Sequence, residues 1–205
     1  QRVDIRYKHF DMKYQERNVS ITMPHEIQNR YRAVLGWTSK AVESLADRLV
    51  FREFGNDNFE LNQIFKMNNA DIFFDSAILS ALVASCAFIY ISKDENGFPR
   101  LQVIEASNAT GVIDPITGLL TEGYAVLSRD EQGNPYREAF FETGLTTIYE
   151  DGKVVSTHSN KAPAPLLVPI VHRPDAVRPF GRSRITRSSI YWQANAKRTL
   201  ERADV

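Results

Sequence analysis

Residues 70–106, ADIFFDSAILSALVASCAFIYISKDENGFPRLQVIEA, change their hydrophobic period part-way along. From 70 to about 86 the residues are apolar nearly all round a helix, which is the pattern of a helix buried at the centre of a core. From Phe88 onward the period becomes two. Phe88–Ser92 and Arg100–Ala106 flank KDENGFP, and Asn96-Gly97 is a hairpin turn signal. A central helix is therefore expected to run straight into an antiparallel hairpin.

Downstream, turn signals recur at Asp114–Gly118, Asp130–Pro135 and Glu150–Lys153, with strands of five to nine residues between them. The reading predicts one meander of six or seven antiparallel strands over about 87–158. Prolines 163, 165 and 169 then make an extended stretch. Leu166–Val171 is expected at a sheet edge, because Pro169 has no N–H to donate to a central ladder.

Upstream, Ile27, Tyr31, Val34, Leu35, Thr38, Ala41, Val42, Leu45 and Leu49 recur at three- and four-residue steps, which predicts an amphipathic helix over 24–50 with Pro24 in its first turn. A short helix is expected over Glu60–Asn69. The chain closes with Pro174, Pro179-Phe180-Gly181-Arg182-Ser183-Arg184-Ile185 and a helix to about Asp204. Ser183 is expected as its N-cap, and Ile185, Ser188, Ser189, Trp192, Ala196 and Thr199 as its packing stripe. Helices, then sheet, then helix means α+β. The expectation is a single domain over 1–205, helical over about 20–86, sheet over about 87–172, and a helix starting at about 183.

Composition narrows the function classes. The chain has 205 residues, 43% hydrophobic and 24% charged, with 10 glycines and 9 prolines, which is globular composition. One cysteine, Cys86, excludes an internal disulfide framework and a cysteine-rich zinc site; its apolar surroundings predict a buried, inert thiol. Ser76–Ile91 is the longest uncharged apolar stretch and is short of a bilayer span. No secretory leader pattern opens the chain. It starts without Met and stops inside a helix pattern, and is expected to be a piece of a longer protein. Net charge is zero, from 25 basic and 25 acidic residues. Residues 173–205 nevertheless hold eight basic and three acidic groups, so this tail is net +5 and the rest net −5. That asymmetry suits an acidic neighbour or a polyanion.

Few residues are spaced for chemistry. No Walker-type phosphate loop, no GxGxxG, no HExxH and no GxSxG is present. His9, His25, His158 and His172 are scattered without ligand spacing. Asp71 and Asp75 stand one helical turn apart; Asp71 suits the positive end of a helix dipole. Glu105 and Asp114 sit near strand ends. The segment with most character is PFGRSRITRSS, where Arg182, Arg184 and Arg187 lie in and just before a first helical turn. Cations there oppose the helix dipole and call for an anionic partner. A carboxylate within the chain or across a joint between copies is expected, with a phosphate as the other option.

The closing segment, VPIVHRP (168–174) followed by P-F-G-R-S-R-I (179–185) and a helix carrying Asn195, resembles phage portal proteins of the SPP1-like family, in particular those of actinobacterial phages and prophages. So do Asn29-Arg30-Tyr31, Gly36-Trp37 and Val42-Glu43-Ser44-Leu45-Ala46-Asp47-Arg48-Leu49, the run Leu61–Asn69, and the step from the apolar helix into Phe88-Ile89-Tyr90-Ile91. The resemblance spans about residues 20–205.

It implies a non-enzymatic subunit, without cofactor or metal, of a ring at one capsid vertex. Such a ring usually has twelve copies, and double-stranded DNA enters and leaves through its centre. Its implied partners are further copies of itself, terminase, capsid or scaffold proteins and the head–tail connector, with no membrane. Its implied location is the virion, and the host cytoplasm during assembly. The chain would cover the outward wing and lack the stem, clip and crown. A ring subunit needs unlike faces that meet head to tail, and Arg182, Arg184 and Arg187 are expected at such a contact or at charge pairs within the subunit. Two other readings compete. One is a nucleic-acid- or protein-binding module that uses the basic C-terminal helix. The other is an enzyme in which Asp71, Asp75, Glu105 or Asp114 converge on a metal.

Overall fold

The computed structural model describes residues 2–14 and 34–203, with side chains up to residue 200. Among the described residues, five helices, α1 (Arg2–Phe10), α2 (Trp37–Ala46), α3 (Leu61–Met67), α4 (Ala70–Ala84) and α5 (Arg187–Ala203), accompany eight strands in an α+β arrangement. The strands are β1 (Cys86–Lys93), β2 (Pro99–Glu105), β3 (Ala109–Ile113), β4 (Leu120–Arg129), β5 (Pro135–Glu142), β6 (Leu145–Glu150), β7 (Lys153–Ser159) and β8 (Leu167–Val171).

The switch in period falls where the sequence places it. Ser85 alone separates α4 from β1, in the left-handed conformation with φ 98°. α4 buries Phe73, Ala77, Ser80, Ala81, Leu82, Val83 and Ala84, the burial all round that its composition demands. β1 is covered on both faces: Ala87 and the next residue, Phe88, point opposite ways and are 0% and 1% exposed.

The strands do not form one meander. β2-β1-β8 make a three-stranded sheet and β3-β4-β5-β6-β7 a five-stranded one, all pairs antiparallel. The chain leaves the first sheet at residues 106–108, where Asn108 N–H donates back to the Glu105 carbonyl. Hairpin spacing specifies each turn but not whether successive hairpins share a sheet. β8 takes the vacant side of β1, with Pro169 opposite Phe88, and is an edge strand as its proline requires.

Two apolar clusters follow. Between the sheets, Phe88, Ile104 and Leu167 pack with Ala125, Phe141 and Ile148. Gly123 makes this approach possible, because a Cβ there would lie 2.9 Å from Leu167 Cδ2. On the helical side, Val42, Leu82, Val83 and Ile185 are buried together, with Tyr7, Phe10, Leu45 and Ile190 against them. A third group, Phe51, Phe54, Phe65, Phe73 and Phe74, stacks around α3, with Phe65 and Phe74 ring centroids 4.8 Å apart. Asn68 then ties α3 to β2: its amide donates to the Ile64 and Pro99 carbonyls and its oxygen accepts from Leu101 N–H.

Three expectations need correction. α1 lies outside the expected helical span of 20–86; Tyr7 and Phe10 give it a short apolar stripe that is easily overlooked. The expected 24–50 helix is helical over Trp37–Ala46, while residues 34–36 are coil with Gly36 at the N-cap and 47–50 turn away; its first part, 24–33, lies outside the described residues. The final helix starts at Arg187, not at about 183. Its cap is Thr186, whose Oγ1 accepts from Ser189 N–H at 3.2 Å.

Candidate functional site

The segment from His172 to Arg187 carries the predicted arginines, and its path is set by backbone bonds. After β8, Arg182 N–H donates to the His172 carbonyl at 2.8 Å, and His172 Nδ1 lies 2.7 Å from the Arg182 carbonyl oxygen. Between them Asp175 and Arg178 form a tight bridge, so residues 173–181 are a closed loop. Gly181 closes it at φ 73°, and a Cβ there would sit 2.2 Å from the His172 oxygen. No other residue type fits this position without displacing backbone.

Beyond the loop the chain docks on the end of α4. Ser183 Oγ donates to the Val83 carbonyl at 2.5 Å, and Arg184 N–H donates to the Leu82 carbonyl at 2.8 Å. From the other end of the chain, Arg6 Nη1 donates to the Ala84 carbonyl at 2.5 Å. These carbonyls belong to the last turn of α4, where no intrahelical donor exists. Ser183 is therefore not the cap of the next helix: it is buried and serves the previous one. Ile185 follows it into the helical core.

The three predicted arginines are in different situations. Arg182 directs Nε and Nη2 to one oxygen of Asp175, at 2.8 and 2.5 Å. That hydrogen bond, with Val177 and Arg178 N–H on the other oxygen, holds the Asp175 carboxyl below its ordinary range. Arg184 and Arg187 are exposed and form no ion pair among the described residues.

α5 turns a different face inward from the expected one. Gln193 is buried, and its Oε1 accepts from Thr38 N–H at 3.0 Å and from Thr38 Oγ1, so it serves the first turn of α2. Trp192, expected inside, is 70% exposed, and its neighbour Tyr191 is 65% exposed. Helical spacing favoured the tryptophan stripe; a buried glutamine satisfied by a helix terminus leaves no hydrophobic signal.

The other candidate residues do not converge. Asp114 accepts from Ile116 N–H and Thr117 Oγ1 in its own turn, which lowers its pKa. Asp71 is in the first turn of α4, and Asp75 is exposed on the same helix. Glu105 closes β2 and accepts from Ser107 Oγ at 3.3 Å. Among the described residues no three His, Cys, Asp or Glu side chains come together to hold a metal ion. His9 is buried and stacks on Tyr14 at 4.1 Å, His158 lies 3.1 Å from Ser156 Oγ, and His25 lies outside the described residues. Cys86 is buried, and burial pushes its thiol up to about 11. No described helix is long and apolar enough to cross a membrane. The chain matches no protein-family model and no curated protein.

Proposed function

We propose that this chain is a structural subunit of a phage portal ring, the wing region of the assembly through which double-stranded DNA is packaged and ejected. The reading carries no catalysis and no cofactor. It places the protein in the virion at the portal vertex, and in the host cytoplasm while capsids assemble. Further copies, terminase, capsid or scaffold proteins and the head–tail connector are its partners.

One observation supports it most: α5 buries a single stripe through Ile190 and Gln193 and leaves Tyr191, Trp192 and Leu200 exposed. Large aromatic side chains on an exposed helix face mark a surface that docks on protein. In a ring of identical subunits that surface meets a neighbour.

Negative-stain electron microscopy of the full-length protein tests the reading. Rings with a central hole are expected; a protein that stays monomeric at every concentration overturns it. The competing reading, a nucleic-acid-binding module, draws on exposed Arg184 and Arg187. It predicts duplex binding that weakens steeply with salt.

A further inference from the structure

α1 separates two depressions of opposite charge. On one side, Arg2 and Arg6 of α1 face Arg178, Arg182 and Arg187 across a groove of about 870 Å³. Ile5, Phe180, Ile185 and Ile190 give it an apolar floor, and no carboxylate lines it. Arg182 is partly neutralised by Asp175. Burial, with Arg2 nearby, lowers the pKa of the Arg6 guanidinium, which also donates to the Ala84 carbonyl.

On the other side, Asp4, Asp11 and Glu105 line a depression of about 450 Å³. It meets a second one of about 490 Å³, lined by Glu43, Asp47 and Asp75, at the shared residue Leu79. Lys8 is the one basic residue lining either, and Asp11 also takes Lys13 at 2.9 Å.

We propose that the arginine groove seats the acidic α2–α4 face of a second copy of this chain, so that copies join head to tail. The inference rests on the ring reading and names the two surfaces that would build it. Charge complementarity argues for this occupant: five guanidinium groups line the groove, and Glu43, Asp47 and Asp75 line the α2–α4 depression with no basic residue among them. The groove is also built like a protein interface. Its cations are all arginine, whose planar fork pairs with carboxylates in two-point fashion, and its floor is apolar. A site for the phosphates of a polyanion needs no such floor. Because the two faces differ, the contact is heterologous and repeats from copy to copy.

Sedimentation velocity over a range of protein and salt concentrations tests it, on the wild type, the groove variant Arg178→Glu/Arg187→Glu, and the acid-face variant Asp47→Lys/Asp75→Lys. All four side chains are exposed, and far-ultraviolet circular dichroism checks that each variant folds. The wild type is expected to self-associate and to weaken with salt. Each variant alone should associate on the order of tenfold less tightly or worse. An equimolar mixture should associate again, since the intact groove takes the intact acid face and the reversed groove takes the reversed face, and so should a chain with all four substitutions.

A monomeric wild type, or a groove variant that associates like the wild type, overturns the proposal. So does a 20-base-pair duplex that binds the wild type but not the groove variant while no self-association occurs; that result assigns the groove to nucleic acid. The ring reading fails separately. Salt-sensitive association abolished by both variants, but giving open chains in the microscope, supports the docking and removes the ring. Closed rings indifferent to both variants do the reverse.

Discussion

Arg182 and Asp175 share one carboxylate oxygen through two guanidinium nitrogens, at 2.8 and 2.5 Å, across the mouth of the loop that leads into α5. The pair fastens a segment whose backbone is already closed by His172. Its carboxyl has a pKa lower in the folded chain than in the unfolded one. Such a group contributes stability at pH above its unfolded value of about 4, and loses that contribution as pH falls through the folded value. The pair is largely exposed, so the effect is small. Asp175→Asn keeps an oxygen for Val177 and Arg178 N–H but removes the charge. The melting temperature of the wild type should approach that of the variant as pH is lowered below about 4, as thermal melts across pH 3–7 would register. A constant gap between the two refutes the assignment.

Ser183→Ala removes the donor to the Val83 carbonyl and the acceptor for Ile185 N–H, both at buried positions. Buried polar groups left without partners cost about 1–3 kcal/mol. Urea unfolding should show that loss with an unchanged denaturant slope, whereas an Ala substitution at exposed Ser188 should cost little.

Gly181→Ala should be the more damaging change in the same loop. It adds strain at positive φ to a Cβ that would meet the His172 backbone oxygen at 2.2 Å. The expected loss is about 2–4 kcal/mol. Gly97→Ala is the control: its φ of 81° is equally unfavourable, but nothing lies within 4 Å of the added carbon. The difference between the two variants in urea unfolding isolates the clash.

Phe65→Ala opens the centre of the phenylalanine cluster and should cost about 2–4 kcal/mol, with Phe65→Leu costing markedly less. Loss of near-ultraviolet aromatic signal together with a lower melting temperature would register it.

Cys86 should be inert to a disulfide reagent at pH 8 while the chain is folded, since burial holds its thiol near 11, and should react at once in denaturant. Fast labelling of the native protein would show that β1 is open at its first residue.

What the sequence disclosed and what it hid follow from the range of each interaction. α4, the Asn96-Gly97 hairpin and the edge position of β8 were legible because each rests on residues adjacent in the chain: an all-round apolar run, a turn dipeptide, a proline. The division into two sheets was hidden, because β8 reaches β1 from about 80 residues away. The cap of α5 was misread for a related reason. Ser183 and Thr186 are equally good caps locally, and the choice between them is made by Val83, 100 residues earlier. The same holds for the arginines. Local sequence marked Arg182, Arg184 and Arg187 as needing anions, and Asp175 was within reach of inspection. That Arg2 and Arg6 of α1 would face Arg178 and Arg187 depends on the packing of both chain ends against α4.

That packing also dictates when the molecule can finish folding during synthesis. The Ala84 carbonyl of α4 takes Arg6, made 78 residues earlier, but the Leu82 and Val83 carbonyls wait for Arg184 and Ser183, the latter 100 residues further on. A nascent chain with α4, both sheets and α1 already made still has bare carbonyls at the centre of its helical layer. The helical layer can close only after residue 184 leaves the ribosome, and assembly with other copies through the groove, which needs Arg187, comes later still.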